Sequence, residues 1–111
     1  MDKALLMFHG GVRSAVKTLS DGKEHTLHFR AKTPSEVALF LGGERRYSDD
    51  EAGDKLRERK RAEFIAGALC DEAGAALMTS EEATLIPATL KPELCQMIVQ
   101  SSNDLGEAGK D

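Results

Sequence analysis

The chain reads as an α+β domain, mainly helical: an N-terminal β-hairpin followed by a small bundle of about four helices. Three observations carry this. Leu27, Phe29 and Ala31 alternate with His28, Arg30 and Lys32 after a Ser20-Asp21-Gly22 turn, the period of a half-buried strand. Helix-start signals follow at Thr33, Ser48 and Thr79. Leu90, Leu94, Met97, Ile98, Ser101 and Leu105 then fall on one face of a closing helix.

Taken in order, residues 1–14 give no clear element. Lys3 to Phe8 suits a short helix or strand, which Gly10-Gly11 ends. Residues 15–32 form the expected hairpin, with Val16 and Leu19 before the turn. A lone hairpin is marginal in water, so a helix must pack on it. Thr33-Pro34-Ser35-Glu36 opens that helix, with Thr33 as N-cap, Pro34 as first helical residue and Glu36 closing a capping box. Val37, Leu39, Phe40 and Leu41 supply its apolar face, and Gly42-Gly43 is expected to end or kink it.

Ser48-Asp49-Asp50-Glu51 repeats the signal, with Ser48 as N-cap and Glu51 reaching back. The longest helix should run from Asp49 to about Cys70. Its first half, charged from Lys55 to Arg61, should lie weakly on the domain, and Phe64, Ile65, Ala68 and Leu69 should enter the core. An acidic turn follows at Asp71-Glu72-Ala73-Gly74, where Gly74 can take the left-handed conformation. Thr79 and Glu82 form a third capping box, and Pro87 and Pro92 imply a short helix, a bend and a final helix. The helical part is expected over 33–105, with 106–111 as a flexible tail, in one domain over 1–111.

Length and composition fit that size. A chain of 111 residues buries roughly 60–70% of its unfolded surface, enough for one modest core. With no Trp and only five Phe and Tyr together, the core rests on aliphatic residues. The net charge of −4 argues against sequence-independent binding to nucleic acid. Ala4–Phe8, the longest apolar run near the N-terminus, is too short for a signal peptide or membrane span, so a cytoplasmic protein is expected. Two cysteines among apolar neighbours, Cys70 and Cys95, agree with that compartment and make no disulfide framework.

Few residues suggest chemistry. His25 and His28 lie on opposite faces of a strand, and neither cysteine has a paired ligand spacing, so no metal site is expected. Cys70 sits at the buried end of a helix, where a thiol acts as a small hydrophobe more often than as a nucleophile. The sequence shows no nucleophile elbow, phosphate loop or dinucleotide fingerprint, so neither catalytic nor cofactor-binding residues are assigned. Among Arg57, Arg59, Lys60 and Arg61, the pairs Asp54–Arg57 and Glu58–Arg61 suggest a solvated helix face rather than a nucleic-acid site. Asp49-Asp50-Glu51 suits a helix N-terminus better than a calcium loop.

One stretch is more distinctive. Leu69, Asp71, Glu72, Gly74, Leu77, Met78, Thr79, Glu81 and Glu82, followed by Asn103, Leu105 and Gly106, fall in a pattern that resembles the tail assembly chaperones of long-tailed, siphovirus-type bacteriophages. That family often carries L-x-D-E-x-G-x-x-L-[FM]-T-x-E-[DE], with a closing helix ending near N-[GD]-L-G. The likeness covers about Phe64 to the C-terminus, under half the chain. Pro87 and Pro92 depart from the smoother closing helix common in the family.

The resemblance implies a mostly helical, non-enzymatic assembly factor of a phage or prophage. It would bind the tape-measure protein and keep it soluble in the host cytoplasm during tail tube assembly, and would be absent from the mature virion. A homo-oligomer is expected, with the tail tube protein as a second candidate partner and neither nucleic acid nor membrane among the partners. Phe64, Ile65, Leu94, Met97, Ile98 and Val99 are the candidate interaction residues, each also suited to the core. Many members are also made in a longer, frameshifted form. Gly109-Lys110 reads first as a chance dipeptide in a polar tail, and fits a slippery site if encoded GGA AAG after a G. The alternative is a small cytosolic interaction module or regulator unrelated to tails.

Overall fold

A computed structural model describes residues 11–103. The fold is α+β: strands β1 (Val12–Thr18) and β2 (Glu24–Arg30), helices α1 (Pro34–Arg46) and α2 (Glu51–Ala68), strand β3 (Leu69–Cys70), and helices α3 (Ser80–Ala83) and α4 (Leu90–Asn103). The three strands form one antiparallel sheet in the order β1-β2-β3.

The hairpin forms where alternation and turn chemistry place it, but starts earlier than expected. Val12 pairs with Arg30, so β1 begins within the stretch left unassigned rather than at Ala15. Gly22 closes the loop at φ 77°, a conformation that glycine adopts without a β-carbon clash. Asp21 accepts from the Lys23 amide at 2.9 Å and holds the turn from inside. The candidate segment Lys3–Phe8 lies outside the described residues, as do Leu105 and the tail at 106–111.

Helix α1 starts as its capping box dictates. The Glu36 amide donates to Thr33 Oγ1 at 3.2 Å, and the Thr33 amide donates back to Glu36 Oε1 at 3.0 Å. Of the two outcomes expected at Gly42-Gly43, an end or a kink, the end does not occur: the helix continues to Arg46. An interior glycine costs only about 1 kcal/mol relative to alanine. Side chains of α2 offset that cost by holding the carbonyls of Glu44 and Tyr47, described below.

Helix α2 also starts differently. Asp50, not Ser48, is its N-cap: Asp50 Oδ1 accepts from the Gly53 amide at 2.8 Å, and Ser48 Oγ donates to the same oxygen at 2.6 Å. The chain folds so closely over the first turn that Gly53 is buried. The helix ends at Ala68 rather than Cys70, because Leu69 and Cys70 turn extended and pair with Phe29 and His28. After β3, Asp71 Oδ1 accepts from the amides of Ala73 and Ala75, both at 2.9 Å, and Gly74 takes φ 89°, the left-handed conformation expected of it.

The Thr79–Glu82 capping box forms as read, with amide-to-side-chain distances of 3.1 and 2.9 Å. It opens a single-turn helix, and the bend before Leu90 follows. The core is then a layer of α2 and α4 against the inner face of the sheet. Phe29, Ile65 and Ile98 are wholly excluded from solvent at its centre, with Phe64, Leu69, Leu94 and Cys95 around them. Burying each such large side chain stabilises the fold by about 1.5–3 kcal/mol.

Candidate interaction surface

One apolar surface feature is the seat of α1. Helix α1 carries apolar side chains at Val37, Leu39, Phe40 and Leu41, but only Val37 is buried. Successive helical residues turn by about 100°, so three adjacent apolar positions cannot all face the core. Leu39 is 75% exposed and Leu41 41%. Phe40 points inward and stacks on Phe64, with ring centroids 4.0 Å apart.

Two grooves flank this stack. One, of about 370 Å³, is lined by Leu39, Phe40, Gly43, Tyr47 and Phe64, with Glu36, Glu44, Lys60 and Glu63 at its polar edge. The other, of about 220 Å³, runs between α1 and α4 and is lined by Phe40, Leu41, Pro92, Cys95 and Val99, with Glu44 and Arg61.

Charged residues clasp the helices around these grooves. Arg61 forms a two-pronged bond to Glu44 of α1, Nε to Oε1 at 2.8 Å and Nη2 to Oε2 at 3.0 Å. This fork, chiefly, raises the Arg61 pKa above its ordinary value. Arg57 donates to the Tyr47 carbonyl at 2.6 Å and the Glu44 carbonyl at 3.4 Å, which holds the last turn of α1 together. On the other flank, Lys91 is buried and donates to Glu58 at 2.8 Å and to the Thr84 carbonyl at 3.1 Å.

The charged middle of α2 is therefore not simply a solvated face. The expected pairs Asp54–Arg57 and Glu58–Arg61 do form, at 3.0 and 3.4 Å. However, the Arg57 and Arg61 side chains are only 15% and 22% exposed, because spacing i, i+4 points both at α1. Arg59 and Lys60 remain in solvent. The first half of α2 is held by polar bonds where apolar packing is thin.

Of the six candidate interaction residues, Phe64, Ile65, Leu94 and Ile98 are buried in the core, and Met97 and Val99 pack half-buried against it. Phe64 and Val99 alone reach the grooves. Leu39 and Leu41, expected on the apolar face of α1, stand at the surface instead. Their signal was present, since so tight an apolar run overfills one helical face.

The reactive side chains are quiet or apart. Burial pushes the Cys95 thiol up to about 12 and raises that of Cys70, so both are protonated near neutral pH. His25 pairs with Asp21 at 2.8 Å in the hairpin loop region, and the Lys23 amide chiefly holds the Asp21 carboxyl below its usual range. Among the described residues no three His, Cys, Asp or Glu side chains converge as metal ligands, and no helix is long and apolar enough to cross a membrane. No family model, curated protein or solved structure matches the chain.

Proposed function

We propose that the chain is a non-enzymatic tail assembly chaperone of a long-tailed phage or prophage, which binds the tape-measure protein in the bacterial cytoplasm and leaves before the virion is complete. The observation that carries this reading is the run from Leu69 to Glu82. Five of its nine marked positions have a local structural use: Leu69 pairs in β3, Asp71 ties the turn, Gly74 takes the left-handed conformation, and Thr79 and Glu82 cap α3. The run that resembles that family forms, in this chain, a folded corner between α2 and α4.

The grooves beside α1 give the reading a physical means. A long helical client exposes apolar stripes that aggregate unless covered. Many copies of a small domain, each offering shallow apolar surface, cover such stripes with high total affinity although each contact is weak. Self-association along the client follows from the same surfaces.

Co-expression with a fragment of the tape-measure protein encoded near this gene tests the reading. The fragment is expected to stay soluble and to co-purify with several copies of the chain. A fragment equally insoluble with and without the chain would overturn the proposal and favour an interaction module unrelated to tails.

A further inference from the structure

We infer that α1 is a hinged cover over the apolar seam between α2 and α4, held shut by the Glu44–Arg61 fork. The inference goes beyond the chaperone reading and stands without it. Three features of the seat lead to it.

First, α1 is thirteen residues long and buries only Val37. Its largest inward side chain, Phe40, has a groove on either side of its stack with Phe64. A helix so thinly packed opens more readily than the layer of α2 and α4 beneath it.

Second, the attachments are unequal along the helix. The N-terminal end is tied to the body where the Lys32 amide donates to the buried Ser102 hydroxyl at 2.8 Å. The C-terminal half depends on charged bonds from Arg61 and Arg57. A tether at one end and a polar latch at the other are the parts of a hinge.

Third, apolar side chains lie beneath α1. Lifting α1 uncovers Phe64 on α2 and Cys95 and Val99 on α4, all of which line its grooves. Cys95 is 4% exposed, and its thiol meets the Arg61 carbonyl at 3.9 Å, directly behind the latch. Cys70 is equally hidden but pairs in the sheet with His28 and Ala76, and it lines neither groove.

The two cysteines therefore report on different events in one unmodified chain. Iodoacetamide labelling read by peptide-resolved mass spectrometry is expected to show Cys95 modified faster than Cys70 under native conditions. Glu44→Gln, which keeps the shape and removes the charge, should speed labelling of Cys95 by about tenfold and leave Cys70 unchanged. Equal rates for the two thiols in the native chain, or a Cys95 rate indifferent to Glu44→Gln, would overturn the inference. If Glu44→Gln exposes both thiols together, amide exchange in the native chain decides. Val37–Arg46 must then exchange faster than Ala62–Ala68, and equal protection overturns the cover.

Discussion

Gly53 and Ser48 compete for one space: a β-carbon on Gly53 would stand 1.8 Å from the Ser48 carbonyl oxygen. Gly53→Ala would ordinarily strengthen an exposed helix. Here the clash is with backbone, which no rotamer change relieves, so the substitution should destabilise the domain by about 2 kcal/mol or more. Gly42→Ala is the internal control, since a β-carbon there meets nothing within 4 Å. It should raise stability by about 0.5–1 kcal/mol. Urea unfolding of both variants measures the contrast, and a stabilising Gly53→Ala would refute the close approach.

The buried ammonium of Lys91 makes a second asymmetric pair of substitutions. Removing its partner with Glu58→Ala leaves a charged group inside the fold, with the Thr84 carbonyl as its remaining bond. The cost should reach about 2–3 kcal/mol. Lys91→Met fills similar volume without the charge and leaves Glu58 paired with Arg61, so it should cost less than about 1 kcal/mol. Denaturant midpoints that rank the two the other way would show that the ion pair itself dominates.

Core and surface roles separate on α4. Ile98 is wholly buried, so Ile98→Ala should cost about 2–5 kcal/mol. Val99 is half-buried at a groove, and Val99→Ser should cost about 1 kcal/mol and leave the fold intact. Only the second variant can reveal a loss of partner binding without a loss of structure. Circular dichroism melts, run beside the co-purification assay, separate the two effects.

Acid should weaken the helix starts. The Ser48 hydroxyl, then the Gly53 amide, hold the Asp50 carboxyl below its usual 3.8, and the Thr33 amide chiefly holds Glu36 below 4.5. A carboxyl whose folded pKa is depressed stabilises the fold above its unfolded pKa. That contribution fades as pH falls through the folded value. Stability should therefore decline below about pH 4, and Asp50→Asn, which still accepts the capping bond, should flatten that decline. Urea midpoints across pH 2–7 provide the check; an unchanged slope in the variant would remove Asp50 from the account.

These residues also show which parts of the fold were legible in the sequence. The Thr33–Glu36 and Thr79–Glu82 boxes were readable because both partners lie three residues apart and need nothing else. The start of α2 was not, because Ser48 and Asp50 are both good caps. The choice between them is made by the fold-back onto Gly53. The continuation of α1 through Gly42-Gly43 depends on Arg57 and Arg61, more than ten residues further along, so no local rule reports it. The local pairs of the basic run were visible, but not the reach of its two arginines to α1. Leu69-Cys70 reads as helix because it continues an apolar helical run; only the open edge of β2 makes it a strand. The candidate interaction residues were recognisable as apolar face, and packing, which periodicity does not count, sent most of them inward.

The passage of α2 straight into β3 bears on how the domain is made. Phe29 and Leu69 pair across about forty residues of chain, a long loop to close for a strand only two residues long. Until Cys70 has left the ribosome, the nascent chain holds a two-stranded hairpin and helices that lack their final partner. Contacts within α1 and α2 can form early, but the sheet is completed only when the far end of α2 returns to it. Cooperative folding should thus wait until Leu69 and Cys70 are made, and fragments ending before Leu69 should remain protease-sensitive while those extended through α4 become resistant.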